Sequence, residues 1–163
     1  GVKLTLRTDQ AMTKGNQEKS HSFTFDHVFR PEASQQDVFE EVSCFVQSAL
    51  DGYNVCLFSY GQTGSGKTWT MSGDHSCSVR RGIIPRAIDQ IMTYQTELRA
   101  KGWEFQLEAS YVEIYNESIR DLLRSSSNNI SSGQKLDIRD SKKEIIVTNA
   151  TKLPITCKEE IQK

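Results

Sequence analysis

The sequence predicts an α/β fold, a partial mixed β-sheet flanked by helices, on three observations. Short runs alternate apolar and polar residues with the period of a half-buried strand, as at Val2–Thr8 and Trp103–Tyr111. Elsewhere apolar residues recur at helical steps, as at Val38–Leu50 and Ile84–Leu98. A nearly unbroken apolar run, Val55–Phe58, then leads into the glycine-rich stretch Gly61-Gln62-Thr63-Gly64-Ser65-Gly66-Lys67-Thr68.

That stretch fits G-x-x-x-x-G-K-[ST], the loop between a strand and a helix that cradles phosphate in P-loop NTPases. Gly61, Gly64 and Gly66 can take positive φ and leave room for phosphate oxygens beside the backbone. Successive N–H groups then turn inward, and the following helix adds its positive end. Lys67 offers a point charge to the β- and γ-phosphates, and the Thr68 hydroxyl can ligate Mg²⁺. The bland alternative is a glycine-rich surface turn. The strand pattern before the stretch and the helix-compatible run after it favour the nucleotide reading.

Composition narrows the rest. The 163 residues suit one domain or part of a larger one. Twenty Lys plus Arg stand against 21 Asp plus Glu, a net charge of -1, so no global basic field calls for nucleic acid or an anionic membrane. Cys44, Cys56, Cys77 and Cys157 form no C-x-x-C pair and no ligand-like cluster with the histidines, which makes a zinc site unexpected and reduced thiols the default. No run has the length of a membrane span, and the first residues lack a signal-peptide core.

In chain order, Val2–Thr8 reads as a strand and Asp9–Ser22 as an exposed polar loop. Phe23–Phe29 reads as a second extended segment, whose His27 is expected to be a structural hydrogen-bonding residue. Ser34 is a candidate N-cap for a helix running to about Leu50, where Asp51-Gly52 stops it. Val55–Phe58 is expected to be a strand covered on both faces. After Thr68 there is room for one or two helical turns before the polar interruption Ser72–Gly82. A helix resumes with Pro85 near its first turn, buries a stripe of Ile84, Ile88, Ile91, Met92 and Leu98, and stops at Gly102. Trp103–Tyr115 follows as a strand, and Asn116–Leu123 is expected to leave the sheet. Arg124–Gly133 is a serine- and asparagine-rich loop. Leu136–Arg139 and Glu144–Ala150 form a hairpin about Asp140–Lys143, and Thr156–Glu159 has capping-box spacing for a helix just beginning.

The segment Phe23–Leu123 resembles the kinesin motor domain. The residues that carry this are FTFDHVF at Phe23–Phe29, YGQTGSGKT at Tyr60–Thr68 with Trp69-Thr70-Met71 after it, GIIPRA at Gly82–Ala87 and SYVEIYNESIRDLL at Ser110–Leu123. VQSALDGYNVC at Val46–Cys56 and VTNA at Val147–Ala150 are similar to the C-terminal-motor, minus-end-directed kinesin-14 branch. The resemblance implies a microtubule-stimulated ATPase in the cytoplasm, on the microtubule cytoskeleton or spindle, dimeric through a coiled coil outside this chain. It implies ATP and Mg²⁺ as ligands of Gly61, Gln62, Thr63, Gly64, Ser65, Gly66, Lys67 and Thr68, with Thr68 on the metal. Trp69 falls where the family places a ring near adenine, although an aromatic there also serves as core. Lys142 and Lys143 match a segment that touches tubulin, or are a solvated turn.

Departures from the family pattern set a limit. The adenine motif R-x-R-P is absent, so the chain is expected to begin after the first strand. No N-x-x-S-S-R-S-H is present; Asn128–Gly133 begins like it but lacks Arg-Ser-His. No aspartate has glycine at the third following position, so D-x-x-G is absent too. The chain is therefore expected to be a partial motor, lacking everything from the first switch onward, with no complete catalytic set. A non-hydrolysing nucleotide- or microtubule-binding module is the alternative. A nucleotide kinase or GTPase is disfavoured by GIIPRA and SYVEIYNESIRDLL, and a GTPase also by the absence of N-K-x-D.

Overall fold

The structure is a computed structural model that describes residues 1–8, 19–124, 136–141 and 144–157. The chain forms two compact units, Gly1–Ala87 and Ile88–Lys163. The expected loop at Arg124–Gly133 from residue 125 onward, the tip Lys142-Lys143 and the beginning helix after Cys157 lie outside the described residues.

In the first unit, β1 (Val2–Thr8) pairs antiparallel with β2 (Lys19–Phe25), Val2 opposite Phe25 and Thr8 opposite Lys19. The directly opposed Thr5 and Ser22 join their hydroxyls at 3.1 Å. The polar stretch 9–22 therefore gives up its last residues to a strand, and the extended run from Phe23 ends at Phe25. Helix α1 (Gln35–Leu50) begins as its sequence requires. Ser34 and Asp37 form a reciprocal capping box, with the Ser34 N–H donating to Asp37 Oδ2 at 2.7 Å and the Asp37 N–H to Ser34 Oγ at 3.2 Å. The Ser34 N–H foremost, and then the Ser34 hydroxyl donating to the same oxygen at 2.8 Å, hold the Asp37 carboxyl below its ordinary range. Gly52, at φ 99°, ends the helix.

Tyr53–Gly61 then runs without regular pairing. Phe58 and Tyr60 are 78% and 90% exposed, their rings stacked with centroids 6.3 Å apart. The expected twice-covered strand at Val55–Phe58 is thus not formed: no described strand lies alongside it. A strand exists only through a neighbour's backbone, whatever its own apolar run favours. Helix α2 (Lys67–Met71) is a single short turn and a half, and α3 (Ile83–Arg99) follows the interruption, ending ahead of Gly102 at φ 87°. At the start of α3 the buried apolar residues are Ile83 and Pro85, whereas Ile84, placed in the stripe by its spacing, is exposed.

In the second unit every described strand pairing is a two-stranded antiparallel one. Of the expected strand Trp103–Tyr115, only β3 (Glu108–Ala109) and β4 (Val112–Tyr115) form. The partner of β3 is β8 (Leu153–Pro154), and the Ile155 N–H extends that ladder to the Leu107 carbonyl at 2.9 Å. Pro154 carries no N–H, so the ladder stays short. Ser118–Asp121 does not leave the sheet but returns as β5 against β4, through Asn116 and Glu117 at φ 46° and 60°. Two consecutive positive φ values are the signature of the two-residue turn that matches strand twist. Strands β6 (Asp137–Ser141) and β7 (Glu144–Thr148) make the expected hairpin.

Asp121 binds this unit together. Its Oδ1 accepts the Leu123 N–H at 2.9 Å and its Oδ2 the Thr151 N–H at 2.7 Å. Partial burial works to raise its pKa, but Thr151, Leu123 and the Arg124 charge outweigh it and hold the carboxyl below the ordinary range.

Candidate functional site

The glycine-rich loop has the backbone its spacing demands. Gly64 and Gly66 sit at φ 82° and 93°, a region that costs a side-chain-bearing residue about 1–2 kcal/mol, and no atom stands within 4 Å of where a Cβ would lie. Gly66 is the N-cap of α2, so Lys67 is the first helical residue. Gly61 differs from the expectation of positive φ. Its need is space: a Cβ there would run into Ser65 Oγ, with Ser65 Cβ at 3.2 Å. The Ser65 N–H donates to the Gln62 carbonyl at 3.1 Å and tightens this turn.

Lys67 turns back over the loop, its ammonium donating to the carbonyls of Gly61 at 2.8 Å and Gln62 at 2.7 Å. The first N–H groups of α2, from Lys67, Thr68 and Trp69, have no carbonyl one turn behind them within the helix. Thr68 is exposed at the same end. Open space over two positive-φ glycines, orphan donors, an ammonium and a hydroxyl form a donor set that suits a phosphate chain with its divalent ion.

Neighbouring elements hold α2 from behind. Gln35, the first residue of α1 and only 7% exposed, donates from Nε2 to the Trp69 carbonyl at 2.7 Å. The Trp69 side chain itself is half exposed, so it is not core. Beyond α2, the segment Ser72–Gly82 is closed at its base. The Gly82 N–H donates to the Ser72 carbonyl at 3.0 Å, and the Asp74 N–H to that of Arg80 at 2.9 Å. Asp74 also accepts the Ser76 hydroxyl at 2.6 Å and pairs with Arg80 at 2.9 Å; the Ser76 bonds, then Arg80, keep its carboxyl below the usual range. The Val79 N–H, ahead of Arg80, likewise lowers the Cys77 thiol. Arg86 on α3 donates to the carbonyls of Arg81 at 2.9 Å and Val79 at 3.1 Å and to the Gln36 side chain on α1.

The His27 Nδ1 lies 3.4 Å from Glu41 and its ring 4.3 Å from that of Phe29. No disulfide joins the four cysteines, and among the described residues no His, Cys, Asp and Glu cluster has metal-binding geometry. No described helix is long and apolar enough to cross a membrane. Arg86 lies within GIIPRA, but nothing in that run announces its reach to Gln36; Gln35 carries no motif of its own, and a helix-initial Gln beside a capping box gives no sign of reaching another element.

Comparison with known proteins decides the lineage. The kinesin motor domain family matches residues 3–163. The chain belongs to the kinesin motor family. Relatives of this kinesin chain include the kinesin-like protein KIFC1 of Homo sapiens, 47% identical over 145 residues, 86% of this chain and 21% of that protein. Kinesin-like protein KIN-14M of Arabidopsis thaliana is 59% identical over 105 residues, 64% of this chain and 14% of that protein. Among solved structures, the motor domain of the Kar3-like kinesin from Ashbya gossypii superposes with a TM-score of 0.77 at 38% identity, covering 98% of this chain and 46% of that one. The Kar3Vik1 C-terminal motor and motor homology domain, fused to a synthetic heterodimeric coiled coil, gives 0.81 at 40% identity, covering 98% and 39%. This kinesin chain thus has the α/β kinesin motor fold and relatives of the kinesin-14 type. It spans 14% to 21% of these curated relatives' length and under half of the solved motor chains.

Proposed function

We propose that this kinesin chain is the ATP-binding portion of a microtubule-stimulated, minus-end-directed motor, preceding the switch segments that complete hydrolysis. The observation that carries the reading is the hand-over from two left-handed glycines, Gly64 and Gly66, into α2 with Lys67 as its first residue. In this reading Gly61–Gly66 presents backbone N–H groups to the phosphates, Lys67 moves its ammonium from the loop carbonyls onto phosphate oxygens, and Thr68 lends its hydroxyl to Mg²⁺. The metal, when bound, draws negative charge from the phosphate oxygens. Trp69, half exposed one residue after Thr68, offers a ring to the adenine. Lys142 and Lys143 meet the acidic tubulin surface. A coiled coil elsewhere in the parent protein makes it dimeric, working in the cytoplasm on microtubules or the spindle.

The sequence between Gly1 and Lys163 contains neither N-x-x-S-S-R-S-H nor D-x-x-G, which favours a second reading for this stretch by itself: it binds nucleotide without cutting it. Fluorescent ATP binding and microtubule-stimulated ATP turnover, measured on the full-length protein and on residues 1–163, test both. Saturable, Mg²⁺-dependent binding that Lys67→Ala removes supports the cradle. ATP turnover stimulated by microtubules supports the motor, and binding without turnover supports the module. No nucleotide binding at all would overturn the cradle.

A further inference from the structure

We infer that Gln35 is a positioning residue for the phosphate loop, clamping α2 through the Trp69 carbonyl; this rests on the nucleotide-binding reading of Gly61–Thr68. Helix α2 has five residues, too few to hold its own geometry in water. Its last carbonyls are orphans unless something outside the helix satisfies them. The Thr68 carbonyl accepts from the Ser72 and Gly73 N–H groups at 2.8 and 3.1 Å. The Trp69 carbonyl is taken by the Gln35 side chain at 2.7 Å, across 34 positions of sequence.

The donor end is well anchored. Gln35 opens a 16-residue helix inside the capping box of Ser34 and Asp37, and the residue is over nine-tenths buried. The next residue, Gln36, accepts from Arg86, so the first turn of α1 is tied to α3 as well. A rigid donor thus meets a carbonyl only two residues beyond Lys67. Loss of the bond leaves a part-buried carbonyl without this partner and frees α2 to fray from its C-terminal end. The groups placed by α2, the Lys67 ammonium and the Thr68 hydroxyl, then lose their fixed direction.

Gln35→Glu tests this in the full-length protein. A carboxylate has the same shape and suits a helix N-terminus, so α1 is kept, but it cannot donate to a carbonyl. Gln35→Lys keeps a donor, and Gln35→Leu removes all polarity. Above neutral pH, Gln35→Glu and Gln35→Leu should weaken fluorescent ADP binding about five- to tenfold, with Gln35→Lys closer to wild type. Hydrogen exchange should rise in 68–73 while 38–50 and 112–121 keep their protection. Unchanged affinity, or exchange rising equally in all three segments, would overturn the clamp. Wild type that binds no nucleotide would overturn the cradle reading, and the exchange comparison would then still decide whether Gln35 holds α2.

Discussion

The Lys67 ammonium donates to the carbonyl of Gly61 at 2.8 Å, so the loop's charge rests on the loop's own first residue. A phosphate oxygen is a stronger acceptor than a neutral carbonyl, and the flexible lysine stem allows the exchange. We expect Lys67→Ala to weaken ATP binding roughly ten- to a hundredfold, the scale of a lost hydrogen bond to a charged group. Equilibrium titration with a fluorescent ATP analogue measures it, and an unchanged affinity would remove Lys67 from the site.

Thr68 is assigned to the metal, which separates its loss from that of Lys67. In wild type, chelating Mg²⁺ should weaken ATP binding. In Thr68→Ala most of that metal dependence should be gone, with metal-free affinity little changed. Titrations with and without a chelator give the comparison; an identical Mg²⁺ response in the variant would count against the assignment.

Gly61 is needed for room. Gly61→Ala sets a methyl against Ser65 and should cost about 1–3 kcal/mol of stability, the usual range for overpacking. Gly61→Ala combined with Ser65→Gly should recover most of that loss, because the obstacle is one side chain. Denaturant unfolding of both single variants and the pair closes the cycle. Strict additivity would show that the contact is not the cause.

Asp121 makes the second unit sensitive to acid. Its folded carboxyl lies below the unfolded value of 3.8, so the stabilisation is complete above 3.8 and is lost as pH falls through the lower folded value. Asp121→Asn keeps one acceptor but turns an amide toward the other N–H donor. The variant should be less stable than wild type at neutral pH, and the gap should close in strong acid. Thermal unfolding across that range measures the gap, and one that stays constant with pH would refute the linkage.

Ser34 begins α1, and α1 carries Gln35. Ser34→Ala should cost about 1 kcal/mol. Ser34→Asp should retain most of the cap. Equal losses from both substitutions, read by denaturant unfolding, would show that the hydroxyl's bond to the Asp37 N–H does not stabilise the helix start.

Local chemistry was legible in the amino-acid order alone. Ser34, Gly52, and Gly64 and Gly66 ahead of Lys67 each act on backbone within a few residues, so their effect follows from spacing. The kinesin lineage was readable for a similar reason, since the phosphate loop, GIIPRA and SYVEIYNESIRDLL are contiguous runs. Pairing across the chain was not. Val55–Phe58 has the composition of a covered strand and forms none, while Ser118–Asp121 becomes a strand because Asn116 and Glu117 both take positive φ without the glycine that usually announces such a turn. The hold of Gln35 on Trp69 and the bond of Arg86 to Gln36 join residues far apart in sequence. Such contacts depend on where other elements come to rest, and only the tertiary structure decides that.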